Sequence, residues 1–255
     1  MEDSALLRYS RHLLLEPWGT EEQERLTRAH VLIVGVGGLG SPASLYLAAA
    51  GVGTLTLCDG DEVDLTNLQR QIALSSSDVG RLKVNATAER LQQLNPTIHI
   101  HPDPRRVVPE AWGEHLGGVD LVLDCCDDFA TRFALNRACR ERGIPLVSGA
   151  VIRFSAQISV FDFRRKDTPC YACLYPPESR TEEEERCALL GVFAPLAGTT
   201  GTLQAGEALK VLSGVGDPLV GRVLLLDGLR GEFRTVRLLR DPRCPVCGSG
   251  TSAGP

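Results

Sequence analysis

The chain has 255 residues, 43% hydrophobic and 23% charged, with a net charge of -5. That length suits one large core burying roughly three quarters of the unfolded surface, and the mild acidity excludes the clustered positive charge of a nucleic-acid surface. The most apolar stretch, residues 43–52, falls short of the ~18 apolar residues of a membrane span.

Taken in chain order, residues 3–28 are polar with Leu-rich stretches and read as one or two short helices. Residues 31–34 form a compact apolar run ending at Gly35, the signature of a buried strand. A small-residue helix follows over 41–50, with Pro42 in its first turn. Residues 54–58 give a second strand, 80–94 a helix by the spacing of Leu82, Ala86, Leu91 and Leu94, and 98–101 a third strand. A fourth strand is expected at 121–123, a helix over 130–141 and a fifth strand at 145–148.

Strands alternating with helices predict a doubly wound, mostly parallel, Rossmann-like α/β sheet. After about residue 150 the texture changes. Residues 157–161, 222–227 and 233–238 look like strands without crossover helices, so the sheet is expected to be extended by antiparallel strands, with a helix over 200–213. An acidic run at 176–186 reads as a surface loop, and residues 249–255 as a disordered tail.

Gly35, Gly37 and Gly40, with Gly38 between them, match G-x-G-x-x-G between a strand and a helix. Glycines allow a tight turn and let backbone N–H groups approach a phosphate at the helix N-terminus. Asp59 ends the next strand, about 20 residues on, where an acid binds ribose hydroxyls. This fingerprint alone would suit NAD. A triphosphate asks for more positive charge and for Mg²⁺, which Arg70 and Lys83 could supply as cations and Asp127 or Asp128 as metal ligand.

Cys170-x-x-Cys173 and Cys244-x-x-Cys247 are two C-x-x-C pairs, the pattern of a closed, structural Zn²⁺ site. The N-terminal MEDSALLRYSRH carries no apolar leader, so the expected location is cytoplasmic, where thiols stay reduced. There the nine cysteines point to metal before disulfides. Cys58, Cys125, Cys126 and Cys139 sit in apolar contexts and read as small core residues. His99 and His101 read as surface residues, and Trp18 and Trp112 as packing.

The strings RYSRH (8–12), GVGGLGSP (35–42), DLTNLQRQ (64–71), DCCDD (124–128), LVSGA (146–150), CYAC (170–173) and CPVC (244–247) occur in this order. Together they resemble the MoeB/ThiF group, relatives of ubiquitin-activating enzymes, over about residues 5–248. The resemblance implies a single adenylating domain over 1–248: N-terminal helices (1–30), a nucleotide half (31–150) and a carrier-binding and zinc half (151–248). It implies ATP- and Mg²⁺-dependent adenylation of the terminal Gly carboxylate of a ubiquitin-like sulfur carrier ending in Gly-Gly, such as MoaD or ThiS.

By matching motif, Gly38 would contact phosphate and Asp59 ribose, Asn67, Arg70 and Lys83 would bind the triphosphate, and Asp127 would hold Mg²⁺. Thr66, Leu68 and Gln69 would border the nucleotide, and Arg11 would reach the γ-phosphate from the second subunit of a homodimer. Where the family commonly shows Asp-Asn, this chain has Asp127-Asp128. Cys187 matches a family cysteine with a thioester or persulfide role. Arg186 beside it favours thiolate and the preceding glutamates oppose it, so a catalytic role and a plain loop residue both stand open.

The sulfur donor is expected to be a separate protein of cysteine desulfurase or rhodanese type. Three other readings compete. A tRNA threonylcarbamoyladenosine dehydratase of the same superfamily would ask for a basic surface. An NAD-dependent oxidoreductase has only the glycine fingerprint behind it. A nucleotide-binding scaffold would be favoured by loss of Arg11 or Asp127, and both are present.

Overall fold

The computed structural model describes residues 1–107, 111–175 and 191–248. Three short helices open it, α1 (Asp3–Arg8), α2 (Ser10–Leu13) and α3 (Thr20–Arg28). The sequence led to one or two. The extra break comes at Gly19, which caps α3 in extended conformation with its N–H donated to Glu22 Oε2 at 2.9 Å.

Next come β1 (His30–Val34), α4 (Gly40–Ala50), β2 (Thr54–Cys58), α5 (Lys83–Leu94), β3 (His99–Asp103), α6 (Trp112–His115) and β4 (Leu121–Asp124). They are followed by α7 (Phe129–Arg142), β5 (Leu146–Ile152), β6 (Ser155–Phe161), α8 (Tyr171–Leu174), α9 (Ala194–Ser213), β7 (Arg222–Asp227) and β8 (Glu232–Arg237). Among the described residues the strands form one sheet in the order β3-β2-β1-β4-β5-β6-β7-β8. The first five are parallel, and β6, β7 and β8 continue the sheet antiparallel.

Strand residues alternate between two cores, as the period of two demands. Val31, Ile33, Leu55, Leu57, Leu121 and Leu123 pack against α4, α5 and α9 through Leu47, Leu91 and Ala205. Leu32, Val34, Val122 and Leu146 face the other way, onto Phe133, Leu135 and Cys139 of α7. Because both faces are covered, β1 and β4 read as unbroken apolar runs. On β8 five of six residues are exposed and charges are frequent, the composition of a sheet edge that resists pairing with another chain.

Element bounds moved where pairing, not local pattern, sets them. β3 runs to Asp103 because it matches β2 residue for residue, and β5 and β6 lengthen to a seven-residue antiparallel pair. α9 begins at Ala194, ahead of the expected residue 200, with Pro195 in its first turn. Its glycines Gly198 and Gly201 had hidden that start. A Cβ on Gly201 would lie 2.1 Å from Leu39 O, so α9 touches the backbone that leads into α4. α6 and α8 were not foreseen; each is a single turn.

The N-terminal helices are fastened to the amino ends of β2 and β3. Tyr9 Oη accepts from Asn95 Nδ2 at 3.0 Å, Arg8 Nη1 donates to Leu94 O at 3.2 Å, and the Tyr9 ring occupies the space beside Gly51. The carboxyl ends of the parallel strands, where ligands bind in open α/β sheets, are left on the opposite side.

Candidate active site

At the carboxyl end of β1 the chain turns sharply, with Gly35 at φ +85°. A Cβ there would meet Cys125 O at 2.8 Å, and one on Gly40 would meet Gly35 O at 1.9 Å. Only glycine fits either position. The strand order reverses between β1 and β4 at this point, which opens a crevice. α4 starts there with Leu39 as its N-cap and no side-chain cap bond. Ser41 N donates to Gly37 O at 2.9 Å, Pro42 has no N–H and Ala43 N donates to Leu39 O at 3.2 Å, so Gly40 N is the first-turn donor left for an anion.

Asp59, at the end of β2, clasps the same turn. Its Oδ2 accepts from Val36 N and its Oδ1 from Asp61 N, both at 2.9 Å. Each carboxylate oxygen keeps a further lone pair, enough for hydroxyl donors of a ribose. Asp61 takes Lys83 Nζ at 2.9 Å, and its second oxygen takes Arg106. Burial alone would raise the Asp61 carboxyl, but Lys83 and Arg106 together hold it below the usual carboxylate range. Lys83 is itself buried at the first turn of α5, so its stem is fixed and its ammonium is aimed.

A 3-10 turn at Leu65–Asn67 shapes the next segment. Asp64 Oδ1 accepts from Thr66 N at 2.8 Å and Thr66 Oγ1 at 2.6 Å, while Asn67 Oδ1 accepts from Asp64 N at 3.2 Å. Thr66 and Asn67 therefore serve the turn with those atoms. Leu68 is half-buried and Gln69 exposed. Arg70 donates to Thr66 O at 3.1 Å, and its Cγ and Cδ lie 3.4 Å from where a Gly38 Cβ would sit, so it lies against the glycine turn. Gln71 was missed by sequence reading. It is 3% exposed, its Oε1 is without a partner, and its Nε2 lies 3.6 Å from the Cβ position of Gly37.

Asp127 and Asp128 follow β4 and are both exposed. They differ in use. Asp128 is the N-cap of α7, its Oδ1 accepting from Thr131 N at 2.7 Å. Asn caps as well as Asp, so the Asn that the resemblance leads one to expect here would serve the same turn. Asp127 has no such capping role; Asp61 first, and Asp59 and Asp127 more weakly, favour the charge on Arg106. Arg11 is exposed on α2, beside the amino ends of β2 and β3, and is not brought to the crevice of its own chain.

Beneath the β4 loop lies a buried polar cluster that the sequence did not announce. Asp124, fully buried, takes Arg132 Nη1 at 3.2 Å and the Ser148 hydroxyl at 2.6 Å on Oδ2, and the Cys126 thiol at 2.8 Å on Oδ1. Arg132 also donates to Gly149 O at 2.9 Å and to Cys126 O. Gln204 of α9 donates to Asp124 O at 2.9 Å. Burial opposes the Arg132 charge, yet the adjacent Asp124 carboxylate raises its pKa overall. Cys126 packs against the core on the α7 side, as expected of it, and its thiol is in addition a member of the hydrogen-bonded network. Burial, then Asp124, pushes its thiol well up. Burial likewise pushes Cys58 up to about 12, so these thiols stay neutral.

The four C-x-x-C cysteines converge on the far side of α7. Their sulfurs all lie within 4.8 Å of one another, with Cys170–Cys244 at 3.6 Å and Cys173–Cys247 at 3.2 Å. A tetrahedron of ~2.3 Å metal–sulfur bonds has edges of about 3.8 Å, so the donor set fits a divalent metal with four thiolate ligands. Asp241 N donates to Cys173 Sγ at 3.4 Å, the outer-shell contact such a ligand needs. Tyr171 ties the cluster to α7 through Asn136 Oδ1, 2.9 Å from its N. Cys187 lies outside the described residues.

A doubly wound sheet with a glycine turn, an acid at the end of β2 and an arginine laid against the turn defines a nucleotide-binding α/β protein. The ThiF family profile matches residues 9–246. The sulfur carrier protein ThiS adenylyltransferase of Escherichia coli (strain K12) is 43% identical over 260 residues, covering 100% of both chains. The molybdopterin-synthase adenylyltransferase of Salmonella typhimurium (strain LT2) is 44% identical over 250 residues, covering 97% of this chain and 98% of that one. A crystal structure of Escherichia coli MccB with MccA-N7isoASN shares the fold at TM-score 0.83 and 24% identity, over 95% of this chain and 75% of that one. The chain belongs to the ThiF family.

Removing one partner of a buried ion pair strands the other charge, at a cost of about 3–5 kcal/mol. Arg132→Met is expected to lower the free energy of urea unfolding by that amount. A loss under about 1 kcal/mol, the scale of an exposed ion pair, would show that the Asp124 cluster does not hold the β4 end.

Proposed function

We propose that the chain is an ATP-dependent adenylyltransferase that activates the C-terminal Gly carboxylate of a small ubiquitin-like sulfur carrier. The observation that carries this reading is Arg70 laid against the glycine turn that Asp59 clasps, with Lys83 held by Asp61, two residues beyond Asp59. Two cationic side chains are more than a pyrophosphate bridge asks of this fold and suit a triphosphate. Full-length likeness to two adenylyltransferases supports the same activity.

In the proposed reaction a carrier carboxylate oxygen attacks the α-phosphorus, the α–β phosphoanhydride bond breaks, and pyrophosphate leaves with the electron pair. A carboxylate is a weak nucleophile, so the protein acts by positioning and by neutralising charge. Asp59 would receive the ribose, and the α4 N-terminus with Gly35, Gly37, Gly38 and Gly40 the phosphates. Lys83, leaving Asp61 in part, and Arg70 would offset the charge that gathers on the leaving pyrophosphate. Asn67 would reach the same phosphates with its amide nitrogen, and Thr66, Leu68 and Gln69 would border them. Asp127, an exposed oxygen donor beside the crevice, suits Mg²⁺, which when bound would screen the phosphate oxygens.

Residues 1–248 would work as one adenylating unit whose active form is a homodimer. Arg11 stands at the wrong end of its own sheet for its own crevice, which supports a role in the crevice of the partner subunit. Cys170, Cys173, Cys244 and Cys247 would hold one Zn²⁺ as a structural tie between α8 and the C-terminal loop. Elemental analysis of purified protein should find about one zinc per chain, lost on substitution of Cys173 and Cys247 by serine; protein without zinc would remove this assignment.

The activity is tested by carrier-dependent exchange of labelled pyrophosphate into ATP, with Mg²⁺ and a candidate carrier ending in Gly-Gly. Exchange is expected with the parent, with a drop of roughly 100-fold or more in Asp127→Ala and Arg11→Ala, the scale of losing one preorganised charge. Mixing the two inactive variants should restore part of the activity. Absence of exchange with every carrier tried would remove the adenylation reading, and no recovery on mixing would remove the shared site.

A further inference from the structure

One cation at the crevice has no part in the roles above. Arg106 stands on the loop after β3, its guanidinium paired with Asp61 and its side chain 81% exposed. Exposed pairs of this kind add little to stability, so folding does not explain the arrangement. Its fit to the backbone below is close: a Cβ on Gly60 would lie 2.5 Å from Arg106 Cγ and 3.2 Å from Arg106 N. Gly60 leaves the room that the arginine stem fills. The stem is thereby laid across the end of β2, between Asp59 and the head of the β3 loop.

Phosphates in this fold sit over the β1–α4 turn, and the acid ending β2 takes the ribose. The base attached to that ribose then extends away from the phosphates, toward the ends of β2 and β3, where Arg106 lies. We infer that Arg106 contacts the nucleoside base, its guanidinium held at one edge by Asp61 and presenting its face as a wall of the base pocket. A guanidinium plane stacks on a heteroaromatic ring, whereas a lysine ammonium offers only a point charge. Asp61 then joins the two ends of the nucleotide site, holding Lys83 toward the phosphates and Arg106 toward the base.

This inference rests on the ATP reading of the site, and calorimetric titration can fail for either separately. ATP with Mg²⁺, and inorganic tripolyphosphate with Mg²⁺, are titrated into the parent, Arg106→Ala and Arg106→Lys proteins. Arg106→Ala is expected to weaken ATP binding about tenfold and to leave tripolyphosphate binding unchanged, with Arg106→Lys recovering less than half of the loss. Equal weakening of both ligands would make Arg106 a phosphate ligand and overturn the inference. Full recovery by lysine, or no change in any variant, would overturn it as well. A parent protein that binds no ATP would instead defeat the ATP reading itself.

Discussion

Everything at the carboxyl end of this sheet depends on backbone meeting backbone where β1 ends. Gly35 and Cys125 approach until no side-chain carbon fits between them, and Gly40 returns onto the Gly35 carbonyl. The turn draws the start of α4 down to the head of the sheet, and the Asp59 bond to Val36 N fixes it there. One short loop thus sets the positions of a helix N-terminus, the acid that ends β2 and, through Asp61, the buried ammonium of Lys83.

The loop has a rigid neighbour. Across the crevice the β4 end is held by the Asp124–Arg132–Ser148 cluster, which gathers β4, β5, α7 and, through Gln204, α9 into one hydrogen-bonded group. Next to that cluster in sequence, Cys125 lies beneath Gly35 and Asp127 is exposed. A buried ion pair is weak evidence for stability as such. Here its geometric effect matters more, because it ties the end of β4 to β5 and α7. The cysteine cluster performs a similar task at longer range, joining the end of the chain to α7 through Tyr171 and Asn136.

Much of this was legible in the sequence because its signals are local. An apolar run, three spaced glycines and an acid at the right offset can be read without knowing what folds beside them, and so can two C-x-x-C pairs. Signals that depend on a distant partner were not legible. Asp124 and Arg132 resemble an ordinary strand-end acid and a surface arginine until α7 is laid on the sheet. Gln71 looked like one polar residue in a polar string, yet it is buried against the glycine turn. β3, β5 and β6 took their lengths from their neighbours. Asp128 could have been recognised as a helix cap, since an Asp directly before the α7 pattern is a local signal; its place beside Asp127 drew it into the metal reading.

The claim on which these roles turn is that the crevice is charged for three phosphates. Binding of ATP with Mg²⁺ and of NAD, measured by calorimetry on the parent and on Lys83→Ala, tests it directly. Tighter binding of ATP than of NAD, with the preference lost in the Lys83→Ala protein, is the result expected. Tighter binding of NAD, indifferent to the loss of Lys83, would contradict it.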